Sequence, residues 1–187
     1  MKNLLAIFAV ALLITSISSA QDIWGQGKMR AGVGGTFALP MGTWGDAVGI
    51  GVGGFGKFEY GINEDMVVQG SLGYLVWMEK DLSGVKSSAS AMPIIGAFKY
   101  NLSKLLTPGL YGFAEFGIWS LTQKIETPAF TIAGFTFPAS SVEVTSSESV
   151  LAIGAGYDTG MLDISAKYLL KGNFDNLVFG VAYNFGL

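Results

Sequence analysis

The sequence predicts an all-β protein, an eight-stranded antiparallel up-and-down transmembrane β-barrel that is preceded by a cleaved signal peptide. Half of the 187 residues are hydrophobic and only 13% are charged. No stretch of the chain approaches the roughly 18 consecutive apolar residues that a membrane-spanning helix needs. The apolar residues instead recur at alternate positions, as in strands with one apolar face. The last such segment, 177–185, lies just before the C-terminus, where the closing strand of a transmembrane barrel is expected.

The N-terminus has the features of a secretory signal. Lys2 supplies a positive charge, residues 4–14 are continuously apolar, and residues 18–20 are the small residues that a signal peptidase recognises. We therefore predict that residues 1–20 are a cleaved signal peptide and that residues 21–187 form a single barrel domain. Cys is absent, so neither a disulfide framework nor a lipid-anchored N-terminus is expected.

Eight segments of the mature chain alternate with a period of two. Their predicted ranges are 28–39, 47–60, 66–78, 89–102, 109–121, 149–157, 161–169 and 177–185. In the second segment, for example, Val48, Ile50 and Val52 alternate with glycines. A soluble lipocalin-type barrel with its apolar face inward would expose a face of Gly, Ala and Ser with few charges, which water solvates poorly. We therefore predict that the apolar face meets lipid.

The charges on the predicted inward face nearly balance. The inward cations are Lys28, Arg30, Lys57, Lys99 and Lys167, and the inward anions are Glu59, Glu79, Glu115 and Asp163. An unpaired buried charge costs several kcal/mol, so we predict salt bridges across a plugged interior rather than an ion channel. This interior charge network comprises Arg30, Lys57, Glu59, Lys99, Glu115, Asp163 and Lys167. A gated polar path formed by Glu115 with Lys57 or Lys99 is the alternative.

Aromatic residues orient the predicted barrel. With the N-terminus in the periplasm, four aromatic residues fall at the periplasmic ends of the even-numbered strands: Tyr60, Tyr100, Tyr157 and Phe185. Rings of aromatic residues are typical of the level where a barrel meets lipid headgroups. We therefore predict a periplasmic aromatic rim.

Three stretches carry a resemblance to a known family: 35–42 (GTFALPMG), 57–63 (KFEYGIN) and 70–74 (GSLGY). In this order they resemble the outer-membrane β-barrel domain family, the small OmpX- and OmpW-like barrels of Gram-negative bacteria. The resemblance implies contact with outer-membrane lipid and lipopolysaccharide. The final Gly180-x-x-Tyr183-x-Phe185 is similar to the signal that the outer-membrane assembly machinery reads, which implies recognition of the C-terminal strand by that machinery.

The residue inventory disfavours an enzyme. Enzymatic barrels of similar architecture generally rely on His, and this chain has neither His nor Cys, so Ser-His and Cys-His triads are excluded. We expect no catalytic residues, no cofactor and no metal site, because Asp158 with Asp163 and Glu143 with Glu148 lack the ligand spacing of a calcium loop. These four carboxylates are expected to be solvated. No clustered basic face suggests a nucleic-acid partner.

The third external loop, 122–148, is the most distinctive connection because it is long enough to be functional. Residues 130–137 alternate around Ala133-Gly134 and predict a protruding hairpin. Its apolar face would hold Phe130, Ile132, Phe135 and Phe137. We predict that this face binds an extracellular protein or a small apolar ligand. The alternative is that the hairpin only extends the neighbouring strands or covers the barrel mouth.

Two functional classes therefore remain for the predicted barrel. The first is a structural or surface-interaction role, adhesin-like, which the plugged interior and the external hairpin favour. The second is passive transport of small hydrophobic molecules, as the resemblance to OmpW-like barrels implies. Transport would need an apolar funnel and a lateral exit, and the aromatic residues expected to line the path are Trp77, Phe113 and Trp119.

Overall fold

The computed structural model describes residues 23–82, 84–132, 135–171 and 174–187, so the predicted signal peptide lies outside the described residues. Within these ranges the chain forms ten strands and one short helix. They are β1 (Met29–Pro40), α1 (Gly42–Ala47), β2 (Gly51–Gly61), β3 (Met66–Leu82), β4 (Val85–Asn101), β5 (Leu110–Thr127), β6 (Phe130–Ile132), β7 (Phe135–Phe137), β8 (Ser140–Asp158), β9 (Leu162–Leu170) and β10 (Asn176–Gly186). None of the helices in the described part of the chain is long and apolar enough to cross a membrane.

Eight of the strands close into a barrel in the order β1-β10-β9-β8-β5-β4-β3-β2. Every neighbouring pair is antiparallel, and β1 closes the ring by pairing with β10 from Arg30↔Gly186 to Pro40↔Asn176. The predicted eight-stranded up-and-down barrel is therefore confirmed. We call the end that holds Met29 and Gly186 the terminal end and the opposite end, which holds α1 and β6–β7, the loop end.

The two faces of the barrel wall differ as the alternation predicts. Outward side chains are large and exposed, among them Leu72 at 54%, Ile94 at 63% and Phe116 at 61%. Many inward positions are glycines because no side chain fits there. A Cβ on Gly53 would lie 2.2 Å from the carbonyl oxygen of Tyr74. The inward glycines thus leave room for the larger side chains that fill the lumen.

Four strands continue past the outward apolar belt and form what we call the protruding sheet, residues 79–82, 85–90, 120–127 and 140–149. Its pairing continues without a break along β5 and β8, from Ser120↔Ser147 to Thr127↔Ser140. The polarity of its two faces is inverted relative to the barrel. The outer face carries mainly Ser, Thr, Lys and Glu, whereas the inner face carries Leu121, Ile125, Val142 and Val144 among polar residues such as Gln123 and Ser146.

Several predicted strand bounds were wrong. The predicted second strand began at 47, but Gly42–Ala47 is helical, β2 begins at Gly51, and Val48 is buried instead of facing lipid. Val48 is drawn inward because its amide donates to the carbonyl of Trp44 at the end of α1. The predicted strands 66–78, 89–102, 109–121 and 149–157 are longer at the loop end, because the protruding sheet continues them.

Most of the predicted third external loop is therefore strand. The hairpin within it exists as β6–β7, with Phe130 paired to Phe137 and Ile132 paired to Phe135. The hairpin lies beyond the ends of β5 and β8, so both a hairpin and an extension of the neighbouring strands are present.

The steric demand on the inward glycines can be tested on β2. Gly53→Ala should lower the free energy of unfolding by about 1–3 kcal/mol, because its Cβ would meet the β3 backbone. Gly56→Ala on the same strand is the matched control. A Cβ on Gly56 meets nothing within 4 Å, so this change should stay within about 0.5 kcal/mol. Equilibrium unfolding in urea from phospholipid vesicles measures both, and equal losses would contradict the steric account.

Candidate functional site

The lumen at the terminal end holds a network of buried ion pairs, which we call the ionic network. Arg30 donates to Glu59, and both of its Nη atoms donate to Asp158, at 3.1 and 2.5 Å. Lys99 bridges Glu59 and Asp163 at 2.5 and 3.0 Å. Each of these side chains is less than 10% exposed. The network therefore neutralises charge across the lumen rather than along one strand.

Two further residues complete the ionic network. Lys57 pairs with Glu59 at 3.3 Å and also with Asp163. The Tyr111 hydroxyl donates to Asp163, and its ring lies beneath Lys99 Nζ at 4.4 Å from the centroid. The members come from six of the eight barrel strands, namely β1, β2, β4, β5, β8 and β9.

The seven residues of the predicted charge network all lie in the lumen, but in two groups. Lys167 pairs with Glu115 at 2.6 Å, nearer the loop end, and the other five lie in the ionic network. Glu79 was wrongly expected to point inward. It is exposed and pairs with Lys86 at 2.9 Å, because a register irregularity between Trp77 and Lys80 turns it outward.

The expectation that Asp158 and Asp163 are solvated was also wrong. Both are buried, at 8% and 4% exposure, and both face cations. β9 and β10 separate β8 from β1 in the ring, and Arg30 reaches Asp158 because both side chains point into the lumen at the terminal end. Of the other two carboxylates, Glu148 pairs with Lys171 at 2.9 Å and Glu143 is exposed. The part of the chain that the structure describes holds no cluster of three potential metal-ligating side chains.

The chain segment before β1 lies against the ionic network at the terminal end. Ile23 is only 1% exposed, and the ring of Trp24 lies 6.2 Å from the ring of Tyr111. Gly61 admits this segment, since a Cβ there would lie 2.1 Å from the carbonyl oxygen of Gly25. Lys28 itself is half-buried.

Four aromatic residues fill the loop end of the lumen, and we call them the mouth cluster: Trp44, Trp77, Trp119 and Phe174. Trp44 comes from α1 and Phe174 from the loop before β10, so both enter the mouth from outside the barrel wall. Trp44 packs edge-on against Trp77 and Phe174, with centroids 5.6 and 4.8 Å away. Phe174 also lies 5.5 Å from Trp119. The cluster covers the lumen with apolar surface.

The two inner indole nitrogens of the mouth cluster differ in their hydrogen bonding. Trp77 Nε1 donates to Asn176 Oδ1 at 3.2 Å, whereas Trp44 Nε1 is buried and has no hydrogen-bond partner. A buried N–H without an acceptor costs about 1–3 kcal/mol. Packing therefore holds the Trp44 ring in the mouth, and it must outweigh the free energy lost by burying the indole N–H without an acceptor.

A cavity of about 70 Å³ separates the mouth cluster from the ionic network. Its lining is apolar toward the mouth, with Leu75, Ile95 and Trp119, and charged toward the terminal end, with Lys99 and Asp163. A volume of this size holds a few water molecules. The lumen is thus filled at both ends, with space between them for a few water molecules.

The barrel wall has one discontinuity beside this cavity, which we call the seam: Gly73, Tyr74, Met92 and Pro93. The β3–β4 ladder pairs Leu72 with Ile94 and resumes at Leu75 with Ala91, but the seam residues are not paired across it. Proline lacks the N–H that a ladder bond needs. Gly73 and Tyr74 line both the internal cavity and an apolar depression on the outer wall. The β3–β4 pair therefore has fewer ladder hydrogen bonds here than on either side of the seam.

The predicted rim and hairpin residues lie at opposite ends of the barrel. Tyr60, Tyr100, Tyr157 and Phe185 all lie at the terminal end, opposite Met29, Met66, Leu110 and Ala31 respectively. In the hairpin Phe135 is 74% exposed and Phe137 is 48% exposed. The side chains of Phe130 and Ile132 lie outside the described part of the structure.

The charges of the protruding sheet pair with one another in solvent. Lys124 donates to Glu126, and this hydrogen bond lowers the pKa of the Glu126 carboxyl. The hydrogen bond from Lys86 to Glu79 likewise raises the pKa of the Lys86 ammonium. These ion pairs are exposed, so they contribute little to stability.

Sequence reasoning missed several residues of the site. Asp158 was read as a solvated residue, and Trp44 lies in the connection between the first two predicted strands, 28–39 and 47–60, and was given no role. Tyr111 was assigned inward but given no role. Pro93 carried a readable signal, because proline in a central strand marks a break in the ladder. Phe174 had no signal, since only the fold turns its loop into the mouth.

A closed eight-stranded barrel with a filled lumen and an apolar outer belt defines the class of small membrane barrels, and solved structures share this fold. Ail, the attachment invasion locus protein of Yersinia pestis, matches with a TM-score of 0.53 at 13% identity, over 86% of this chain and 97% of Ail. Ail in complex with the heparin analogue sucrose octasulfate matches at 0.51 and 15% identity, over 86% and 97%. OprG from Pseudomonas aeruginosa gives 0.48 at 14% identity, over 88% and 97%.

The two structures of Ail show that the chain has the fold of small outer-membrane β-barrel proteins, as the resemblance in the sequence predicts. At these identities the likeness concerns the fold alone. No protein-family model and no curated protein matches the sequence.

The stabilising role of the ionic network can be tested at its central carboxylate. Glu59→Gln removes the negative charge that Arg30, Lys57 and Lys99 share, so it should lower the free energy of unfolding by about 3–5 kcal/mol. Glu79→Gln, which breaks only the exposed pair with Lys86, should cost no more than about 1 kcal/mol. Unfolding in guanidinium chloride measures both variants. Similar costs would show that the buried pairs do not hold the barrel together.

Proposed function

We propose that the protein is an outer-membrane barrel of a Gram-negative bacterium whose protruding sheet contacts partners outside the cell. In this orientation the terminal end, with its rim of Tyr60, Tyr100, Tyr157 and Phe185, lies at the periplasmic headgroups. The loop end faces outward. The assembly machinery would recognise the C-terminal strand, and outer-membrane lipid and lipopolysaccharide would surround the wall. A binding role is favoured over catalysis because the chain lacks His and Cys.

The protruding sheet is the observation that carries the contact role. β8 pairs with β5 along its whole length, but it pairs with β9 only from Leu151 to Asp158. Residues 140–150 therefore present an open edge, which is a template for an added strand. The hairpin β6–β7 adds the exposed ring of Phe135 at the tip. An open edge beside exposed aromatic surface favours a protein partner.

A polyanionic partner, such as the sulfated ligand in the Ail complex, is not favoured for this chain. In the described part of the loop end, Lys86, Lys124 and Lys171 each pair with a glutamate. The whole chain also carries a formal net charge of −3. Both observations work against attraction of a polyanion.

The contact role can be tested at the hairpin tip. Replacing Phe135 and Phe137 with Ser should lower adherence of cells displaying the protein to protein-coated surfaces by at least about tenfold, because buried aromatic anchors commonly contribute about 2 kcal/mol or more. Thr136→Ser in the same hairpin is the control. Heat-modifiable electrophoretic mobility verifies that each barrel is assembled. Unchanged adherence of the double variant would remove the hairpin from the contact surface.

Passive transport of small hydrophobic molecules is a second candidate, and the seam is the observation that favours it. The apolar inner face of the protruding sheet leads down to the mouth cluster, and the seam offers an exit from the lumen into lipid. The ionic network blocks the way to the periplasm, so an apolar molecule that passed the mouth would leave sideways. Phe113 and Trp119 line the cavity on this path.

The transport role can be tested at Pro93. Pro93→Ala restores an N–H to β4, so the ladder to β3 can close and lateral exit should fall. We expect slower uptake of the apolar dye 1-N-phenylnaphthylamine by intact cells, with the folded barrel at least as stable as the wild type. Ile94→Val, on the same strand but facing lipid, is the control. Equal uptake by wild type and Pro93→Ala at equal surface density would exclude the seam as an exit.

A further inference from the structure

We propose that the loop-end mouth binds a small neutral apolar molecule carrying a hydrogen-bond acceptor, and that Trp44 Nε1 donates to this acceptor. The site consists of the mouth cluster and the adjoining inner face of the protruding sheet. The proposal rests on the apolar mouth of the second candidate function and names the ligand chemistry there. Binding holds whether or not the molecule later leaves through the seam.

The first supporting observation is the inverted polarity of the protruding sheet. Above the membrane, a two-faced sheet normally turns its apolar side toward a core. Here the apolar side faces the barrel axis, with Val142 and Val144 each 58% exposed and Ile125 39% exposed. The inward residues of β5 and β8 lie directly opposite one another, Gln123 with Val144 and Ile125 with Val142. This surface is suited to an apolar molecule at the mouth.

The second observation is the unpartnered donor of Trp44. Its side chain is only 7% exposed, and its Nε1 has no acceptor. The neighbouring Trp77 shows that the mouth can satisfy an indole N–H, since Asn176 accepts from it. Of these two tryptophans, only Trp44 therefore lacks an acceptor. A ligand oxygen would supply it.

The ring that carries the donor and the apolar face belong to one packed cluster. Trp44 packs on Trp77, whose ring lies 6.2 Å from that of Trp119. Leu121, two residues further along the inner face of β5, packs against the same cluster. On the opposite side Lys80 Nζ donates to the carbonyl oxygen of Gly45 at 2.5 Å, which fixes α1 to the wall beside the mouth. A molecule lying along the inner face therefore contacts this cluster, and it reaches the buried Nε1 when the packing around Trp44 opens.

The surroundings of Trp44 determine the ligand class. Its ring neighbours are aromatic, so a charged ligand would lose hydration against them, and the Lys80 ammonium beside α1 already donates to the carbonyl oxygen of Gly45. A single donor satisfies a ketone, ester or ether oxygen, whereas a peptide would bring several polar groups that the cluster leaves unpaired. The donor is also buried, so a folded protein cannot reach it. A small neutral molecule fits these three constraints.

The test compares two probes of the same shape on the purified full-length barrel in nanodiscs. Acetophenone has a carbonyl oxygen, and α-methylstyrene has a methylene group in its place. With Trp labelled by ¹⁵N, acetophenone should shift the indole N–H resonance of Trp44 downfield, while α-methylstyrene should not. The wild type should bind acetophenone about two- to tenfold more tightly than a variant without the Trp44 N–H does, as expected for one neutral hydrogen bond.

Two variants separate the donor from the ring. Trp44→Phe keeps an aromatic ring but lacks the N–H, so it should lose about two- to tenfold in affinity for acetophenone and should bind α-methylstyrene as the wild type does. Trp119→Phe removes a similar volume from the cluster but leaves the Trp44 donor, so the ratio of its two affinities should stay that of the wild type. The Trp44 resonance of the wild type reports the contact even if a variant fails to fold.

Three results would overturn the proposal: an unchanged Trp44 resonance with acetophenone, an unchanged acetophenone affinity in Trp44→Phe, or no binding of either probe up to its solubility. Pro93→Ala should bind acetophenone normally, because the seam lies in the wall and not in the mouth. Failure of transport with intact binding would therefore refute the seam and leave the mouth site standing.

Discussion

The closure of the barrel depends on the buried ion pairs at its terminal end. Backbone pairing links each strand only to its two neighbours, whereas Glu59 and Asp163 hold cations from strands on different sides of the ring. Each of these charges has lost its hydration, so it is tolerable only when every partner is in place. The network thus favours one register and one strand order over slipped alternatives. That register also places the inward glycines opposite the large lumen side chains, and it sets the positions of the cavity and the mouth cluster.

The contrast between the two ends of the lumen follows from the same constraint. At the terminal end the seal is ionic and tied to the strands, so it moves only if the barrel does. At the loop end the seal is apolar, and half of its rings come from connections outside the wall. Trp44 belongs to α1, and Phe174 lies in the loop before β10. Packing without directional bonds is the easier of the two seals to rearrange, which agrees with a ligand entering from outside.

Much of this architecture could be predicted because successive side chains of a barrel strand face lipid and lumen in turn, so that residue type alternates along the strand. Alternation gave the eight strands, and the charges of the inner face indicated a paired interior. The errors have physical causes. Val48 continued an apolar alternation that was in fact the end of α1. Asp158 was read as a solvated residue, although in the closed barrel it points into the lumen and pairs with Arg30. The protruding sheet was read as a loop because, past Ser120, its apolar residues change sides and no longer mark lipid.

The change of the apolar residues from the outer to the inner face also sets how deeply the barrel inserts into the membrane. Along β5 the outward side chains pass from Phe116 and Ile118, both well exposed, to Ser120. Further insertion would carry hydroxyl groups and then charged side chains into hydrocarbon, and withdrawal would expose the apolar belt to water. The position along the strands at which the outward residues change from apolar to polar therefore fixes the depth of insertion in the membrane. Only one half of the ring is extended, so the barrel meets the aqueous phase with a tall wall on one side and a low one on the other.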